Sequence, residues 1–68
     1  MSIQVTINGE QRTFDRSLTV AELVDELALK PKGVAVELNR EIVPKSQWQQ
    51  TSVSDGDEIE IVTFVGGG

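Results

Sequence analysis

The chain contains no cysteine and no histidine, and together these absences remove much of ordinary site chemistry. Without cysteine there is no disulfide and no thiolate nucleophile. Without histidine there is no side chain poised for proton transfer near neutral pH, and the typical zinc sites disappear with both. Basic residues are also scarce, six Lys and Arg against eleven Asp and Glu for a net charge of -5. That balance argues against a nucleic-acid footprint, which needs clustered Lys and Arg, and it suits an acidic carrier meeting a basic docking face. Long apolar runs are missing, and the opening Met1-Ser2-Ile3-Gln4-Val5 has no basic stretch. Neither a membrane span nor a signal peptide is therefore expected, and the expected location is cytoplasmic.

What remains is 68 residues, enough for one domain that hides roughly 60% of the surface its unfolded chain exposes. A core of that size rarely supplies more than ~3–5 kcal/mol. Ile3, Val5 and Ile7 alternate with Gln4 and Thr6, the period of a half-buried strand. Asn8-Gly9 then predicts a type I′ hairpin that sets Ile3 opposite Phe14, both facing inward. The stretch "SLTVAELVDELAL" changes to helical spacing, with Val20, Leu23, Val24 and Leu27 on one stripe and Glu22, Asp25 and Glu26 away from it. Thr19 and Glu22 form a capping box, Leu18 and Leu23 a hydrophobic staple, and Lys30, Pro31 and Gly33 are expected to close the helix.

Val34 to Leu38 reads as a strand, Asn39-Arg40 as a turn, and Glu41 to Val43 as a short strand ended by Pro44. Ser46 to Gln50 suits an irregular or 3₁₀ turn carrying Trp48 as a structural plug, and Asp55-Gly56-Asp57 leads into a last strand, "EIEIVTFV". The order is two strands, a helix, two strands and a final strand, which predicts a two-layer α+β domain with one helix on one face of a mixed sheet. No repeat, linker or low-complexity segment interrupts it.

Two features do not serve that fold. Alternation along the last strand puts Ile59, Ile61 and Thr63 inward, leaving Val62 and Phe64 on the face of Glu58 and Glu60. Either the strand twists or bulges so that Phe64 covers its own core, or Val62 and Phe64 form an exposed apolar spot of the kind that marks a partner site. The chain then ends Val65-Gly66-Gly67-Gly68. Terminal glycines bury nothing and resist ordering; they are a fraying spacer, or a thread reaching about 10 Å that carries a terminal carboxylate into a cleft. Other pairs have plain readings. Asp55 and Asp57 lack further ligands at calcium-loop spacing and belong to a turn, Glu37 and Glu41 are solvated rather than an acid and base, and Lys30, Lys32, Arg40 and Lys45 sit in no phosphate-loop pattern.

Taken together, "TV.EL...L" in the helix, "N..IVP...W" at Asn39, Ile42, Val43, Pro44 and Trp48, "DGD.IEIV" and the glycine end resemble the bacterial sulfur carrier family of thiamin biosynthesis, ThiS, in the ubiquitin-like β-grasp group. The resemblance covers essentially the whole chain; the helix motif alone is weak, and the combined C-terminal half is specific. It implies a β-grasp domain over 1–65, with a mixed sheet of four to five strands on one helix, and a flexible glycine tail over 66–68. An extra glycine precedes the usual pair, which lengthens the tether without altering its chemistry.

The resemblance further implies that Gly68 is the reacting residue, with Gly66 and Gly67 as its tether and Val62, Phe64 and Val65 as the partner-binding surface. A ThiF-type adenylating enzyme, using ATP and Mg²⁺ in its own site, activates the Gly68 carboxylate. A donor protein's cysteine persulfide then displaces AMP, and the resulting thiocarboxylate passes to thiazole synthase. On this view the chain binds no cofactor or metal and is a substrate of enzymes rather than an enzyme, which also accounts for the missing cysteine. A molybdopterin-type sulfur carrier, a protein modifier joined through Gly68 to lysine, and a plain interaction domain remain open alternatives.

Overall fold

The hairpin at Asn8-Gly9 forms as its dipeptide dictates. Both residues hold positive φ, 50° and 84°, the values a type I′ turn requires and that Asn and Gly accept most readily. The turn joins β1 (Ile3–Ile7) to β2 (Glu10–Phe14) in antiparallel register, with Ile3 opposite Phe14. The structure is a computed structural model and describes residues 2–30 and 32–64.

Helix α1 (Val20–Glu26) follows the two-residue strand β3 (Leu18–Thr19). The capping box is complete: Glu22 N donates to Thr19 Oγ1 at 3.1 Å and Thr19 N donates to Glu22 Oε1 at 2.9 Å. The next two backbone donors, Val20 N and Ala21 N, reach the carbonyls of Thr51 and Trp48 at 2.9 and 3.1 Å. Every donor freed at the helix start is thereby satisfied. The helix ends earlier than Lys30, Pro31 and Gly33 suggested. Leu27 is its C-cap, Ala28 turns to φ 59°, and Ala28 N and Leu29 N close back on the carbonyls of Asp25 and Val24 at 3.0 and 3.1 Å. This is a Schellman stop with alanine in the position usually held by glycine.

The remaining elements are β4 (Val34–Leu38), β5 (Glu41–Val43), a 3₁₀ turn (Lys45–Gln47), β6 (Ser52–Val53) and β7 (Glu58–Thr63). The main sheet runs β2-β1-β7-β4-β5, with β1 and β7 parallel at its centre and the other neighbours antiparallel. A second sheet pairs β3 with β6, Leu18 opposite Val53, a contact not anticipated from the sequence. One helix on a five-stranded mixed sheet is the β-grasp arrangement.

The core lies between the sheet's inner face, with Val5, Ile59 and Val36 at its centre, and Val20, Leu23 and Val24 of the helix. Phe14 is half-buried against it. Trp48 plugs one end, buried, its Nε1 donating to Val43 O at 2.9 Å. Asp55 and Asp57 are spent on structural hydrogen bonds: Asp55 Oδ1 accepts from Gln4 N at 2.7 Å, and Asp57 accepts from Ser54 N at Oδ2 at 2.8 Å and from Asn39 Nδ2 at Oδ1 at 3.1 Å. These bonds fix the turn, and among the described residues no group of three His, Cys, Asp or Glu could hold a metal ion. No helix of the described residues is long and apolar enough to cross a membrane.

Candidate functional site

The site is built on the outer face of β7, the face turned away from the helix. The strand stays regular, with Ile61 opposite Val36, Val62 opposite Ala35 and Thr63 opposite Val34, and Phe64 N then donates to Gly33 O at 2.7 Å. No bulge turns Phe64 inward. Val62 is 52% and Phe64 66% exposed, so the two side chains that broke the apolar pattern stand in solvent. Thr63 differs from its expectation: it keeps the inward parity but is exposed, because the fully packed part of the core stops at Ile61 and only half-buried Val34 lies across from it.

A third apolar side chain belongs to the same face. Ile42 on edge strand β5 is 71% exposed and lies opposite Glu37, which in turn lies opposite Glu60. Nothing in the sequence marks Ile42, since a three-residue strand does not reveal which of its faces is covered. Exposed apolar side chains clustered on one sheet face are what a partner site offers. Around them stand Glu37, Glu58 and Glu60, with Arg40 Nε 4.0 Å from Glu58. Glu37 and Glu41 fall on opposite faces, Glu41 pairing with Leu38 and Glu37 with Ile42, so they do not form an acid and base pair. Lys45 lies 5.8 Å over the Trp48 ring.

Val65, Gly66, Gly67 and Gly68 lie outside the described residues, as does the boundary between a domain over 1–65 and a tail over 66–68. The last described residue, Phe64, follows the end of central strand β7 and is held to Gly33.

Comparison with known proteins places the chain among relatives. The model of the ThiS family matches residues 5–68. The chain is 35% identical over 66 residues to the sulfur carrier protein ThiS of Escherichia coli, covering 97% of this chain and 100% of that protein. It is 44% identical to ThiS of Bacillus subtilis, covering 91% of this chain and 96% of that one. It is also 53% identical over 66 residues to a thiazole synthase of Paramagnetospirillum magneticum, of whose length it spans 20%, so a carrier-like segment forms part of that longer polypeptide. The crystal structure of a thiamine biosynthesis protein (ThiS) from Geobacter metallireducens superposes with a TM-score of 0.85 at 39% identity, covering 97% of this chain and all of that one. On the family match, the identities and the shared five-stranded sheet with its single helix, the chain belongs to the ThiS family.

Proposed function

We propose that this chain, a ThiS-type sulfur carrier for the thiazole moiety of thiamin, carries its sulfur on the carboxyl carbon of Gly68. A carboxylate resists acyl transfer because resonance protects its carbon and oxide is a hopeless leaving group. An adenylating partner of the ThiF type, holding ATP and Mg²⁺, lets a Gly68 carboxylate oxygen attack the α-phosphorus, with pyrophosphate leaving. The persulfide sulfur of a donor protein then attacks the acyl carbon and AMP departs. Cleavage of the sulfur–sulfur bond by a second thiol leaves the thiocarboxylate, a soft nucleophile that thiazole synthase takes up. Glycine suits this end because without β-carbons the thread fits a narrow channel and its last carbonyl is open to attack from either side.

The observation that carries the reading is the pair Val62 and Phe64, both exposed, Val62 on β7 where it pairs with β4 and Phe64 one residue past the strand's end. A partner gripping that face holds the strand that leads in sequence to the residue it must activate. The chain's own role is to be recognised and to present that terminus; nucleotide, metal and thiols belong to the partners. The relatives in which a carrier-like segment is part of a thiazole synthase support the pairing with that enzyme.

Incubation with ATP, a ThiF-type enzyme and a persulfide donor, followed by intact mass measurement, tests it. The expected product has one oxygen replaced by sulfur at Gly68, and blocking the Gly68 carboxylate as an amide abolishes that change without altering the circular dichroism spectrum. An isopeptide to lysine points instead to a protein modifier. No change, or sulfur loading that survives the block, removes the Gly68 carboxylate from the chemistry.

A further inference from the structure

Strand β1 ends at Ile7, so its pairing with β7 stops at Ile59. On that side Asn8 continues the ladder with its side chain. Asn8 N donates to Ile59 O at 2.9 Å. Its Oδ1 then accepts from Ile61 N at 2.7 Å and its Nδ2 donates to Ile61 O at 3.0 Å, two bonds that backbone groups of a neighbouring strand would otherwise make. On the other side β4 pairs with β7 as far as Thr63. Ile61 is therefore the last residue held from both sides, five positions before Gly66. The two bonds are part-buried, beside a recess lined by Ile7, Leu27, Leu29 and Ile61 together with Glu10 and Arg12; partial burial weakens competition from water and strengthens a hydrogen bond.

We propose that Asn8 is a positioning residue for the carboxyl end of the carrier: its side-chain amide fixes the direction in which β7 leaves the sheet, and so how readily an activating partner captures the terminus. This rests on the sulfur-carrier reading. Without the amide, the two-sided hold ends at Ile59, which adds about 7 Å of strand held from one side only. The terminus then samples a wider cone, and fewer encounters place it correctly. The reacting groups themselves are untouched, so the loss falls on capture rather than on chemistry.

The structure supplies its own control. Asn39 opens a turn with the same positive φ, 51°, and clamps the opposite end of β7: its Oδ1 accepts from Glu58 N at 2.9 Å and its Nδ2 donates to Asp57 Oδ1 at 3.1 Å. Glycine keeps the backbone of either turn, so Asn8→Gly and Asn39→Gly each remove one clamp, near the carboxyl end and far from it. Adenylation is followed by ATP–pyrophosphate exchange with the ThiF-type enzyme as the carrier is titrated, and amide hydrogen exchange is measured on the free carrier. Asn8→Gly is expected to raise KM for the carrier about tenfold with kcat unchanged, roughly the loss of one net hydrogen bond, and to speed exchange at Ile61 and Thr63. Asn39→Gly is expected to lower Tm comparably and leave KM alone. If Asn8→Gly does not fold, Asn8→Asp, which keeps the acceptor and loses the donor, carries the same comparison. Equal KM effects from both positions, or unchanged exchange at Ile61, overturn the proposal. A wild-type chain that is not adenylated at all sinks the carrier reading and, with it, the role of the clamp in capture.

Discussion

Asn8, Asn39 and Arg40 hold positive φ in two-residue hairpin turns, where the geometry demands it. Ala28 holds φ 59° as the residue after the helix cap, where a β-carbon costs about 1–2 kcal/mol. Ala28→Gly relieves that strain but frees the unfolded chain, at a cost of about 0.4–1 kcal/mol. The net expectation is a stabilisation of about 0.5 kcal/mol, read as a higher denaturation midpoint at unchanged m-value. A midpoint that falls would show that the Schellman bonds from Ala28 and Leu29 do not hold the position as described. The contrast also explains what the sequence made visible at this scale. Asn-Gly names its turn because few other pairs tolerate it, and Thr19 with Glu22 names a helix start. Alanine names nothing, and Leu27-Ala28-Leu29 continues the helical apolar pattern past the true end, so the pattern alone predicts too late a stop.

Strand β7 fills the core from its inner side with Ile59 and Ile61, while Val62 on its outer side and Phe64 just past its end stand exposed. Glu37 and Glu60 stand directly opposite each other on that outer side, and like charges across a strand pair are destabilising. Glu60→Lys is therefore expected to stabilise the fold by about 0.2–1 kcal/mol while weakening binding to a basic partner face. Calorimetric affinity beside a denaturation midpoint separates the two; tighter binding from the variant would refute a basic partner. Phe64→Ala should do the reverse, lowering affinity for the adenylating enzyme more than Tm, since a side chain 66% exposed has little packing to lose; a drop confined to Tm would return Phe64 to a structural role. The alternation of "EIEIVTFV" was enough to single out Val62 and Phe64, because the outward parity of an apolar residue is a local property. Ile42 and the β3–β6 pair were hidden for the opposite reason. Their meaning depends on Leu18 meeting Val53 and on Ile42 falling beside Glu37, contacts made by the folded chain and not by any sequence window.

At the scale of the molecule the decisive quantity is charge in a small volume. A net charge of -5 is carried by a body with a radius of gyration of 11.5 Å, close to the Debye length of about 10 Å at 0.1 M ionic strength. At low salt the acidic groups therefore repel one another across the whole domain, and the same field favours approach of the proposed partner if its docking face is basic. Salt should act on these two effects in opposite directions. The described residues hold two ion pairs, Arg16 with Glu22 and Arg40 with Glu58, at 3.9 and 4.0 Å and well exposed, so screening has little attraction to remove and much repulsion. Raising ionic strength from about 0.02 to about 0.5 M is expected to raise the Tm of the isolated chain and to lower its association rate with the adenylating enzyme, toward the neutral range of about 10⁵–10⁶ M⁻¹s⁻¹. Stopped-flow association and thermal melts over one salt series check both arms. A rate flat in salt would mean that acidity plays no part in finding the partner, and a Tm that falls would mean that attraction, not repulsion, dominates the charge balance of the fold.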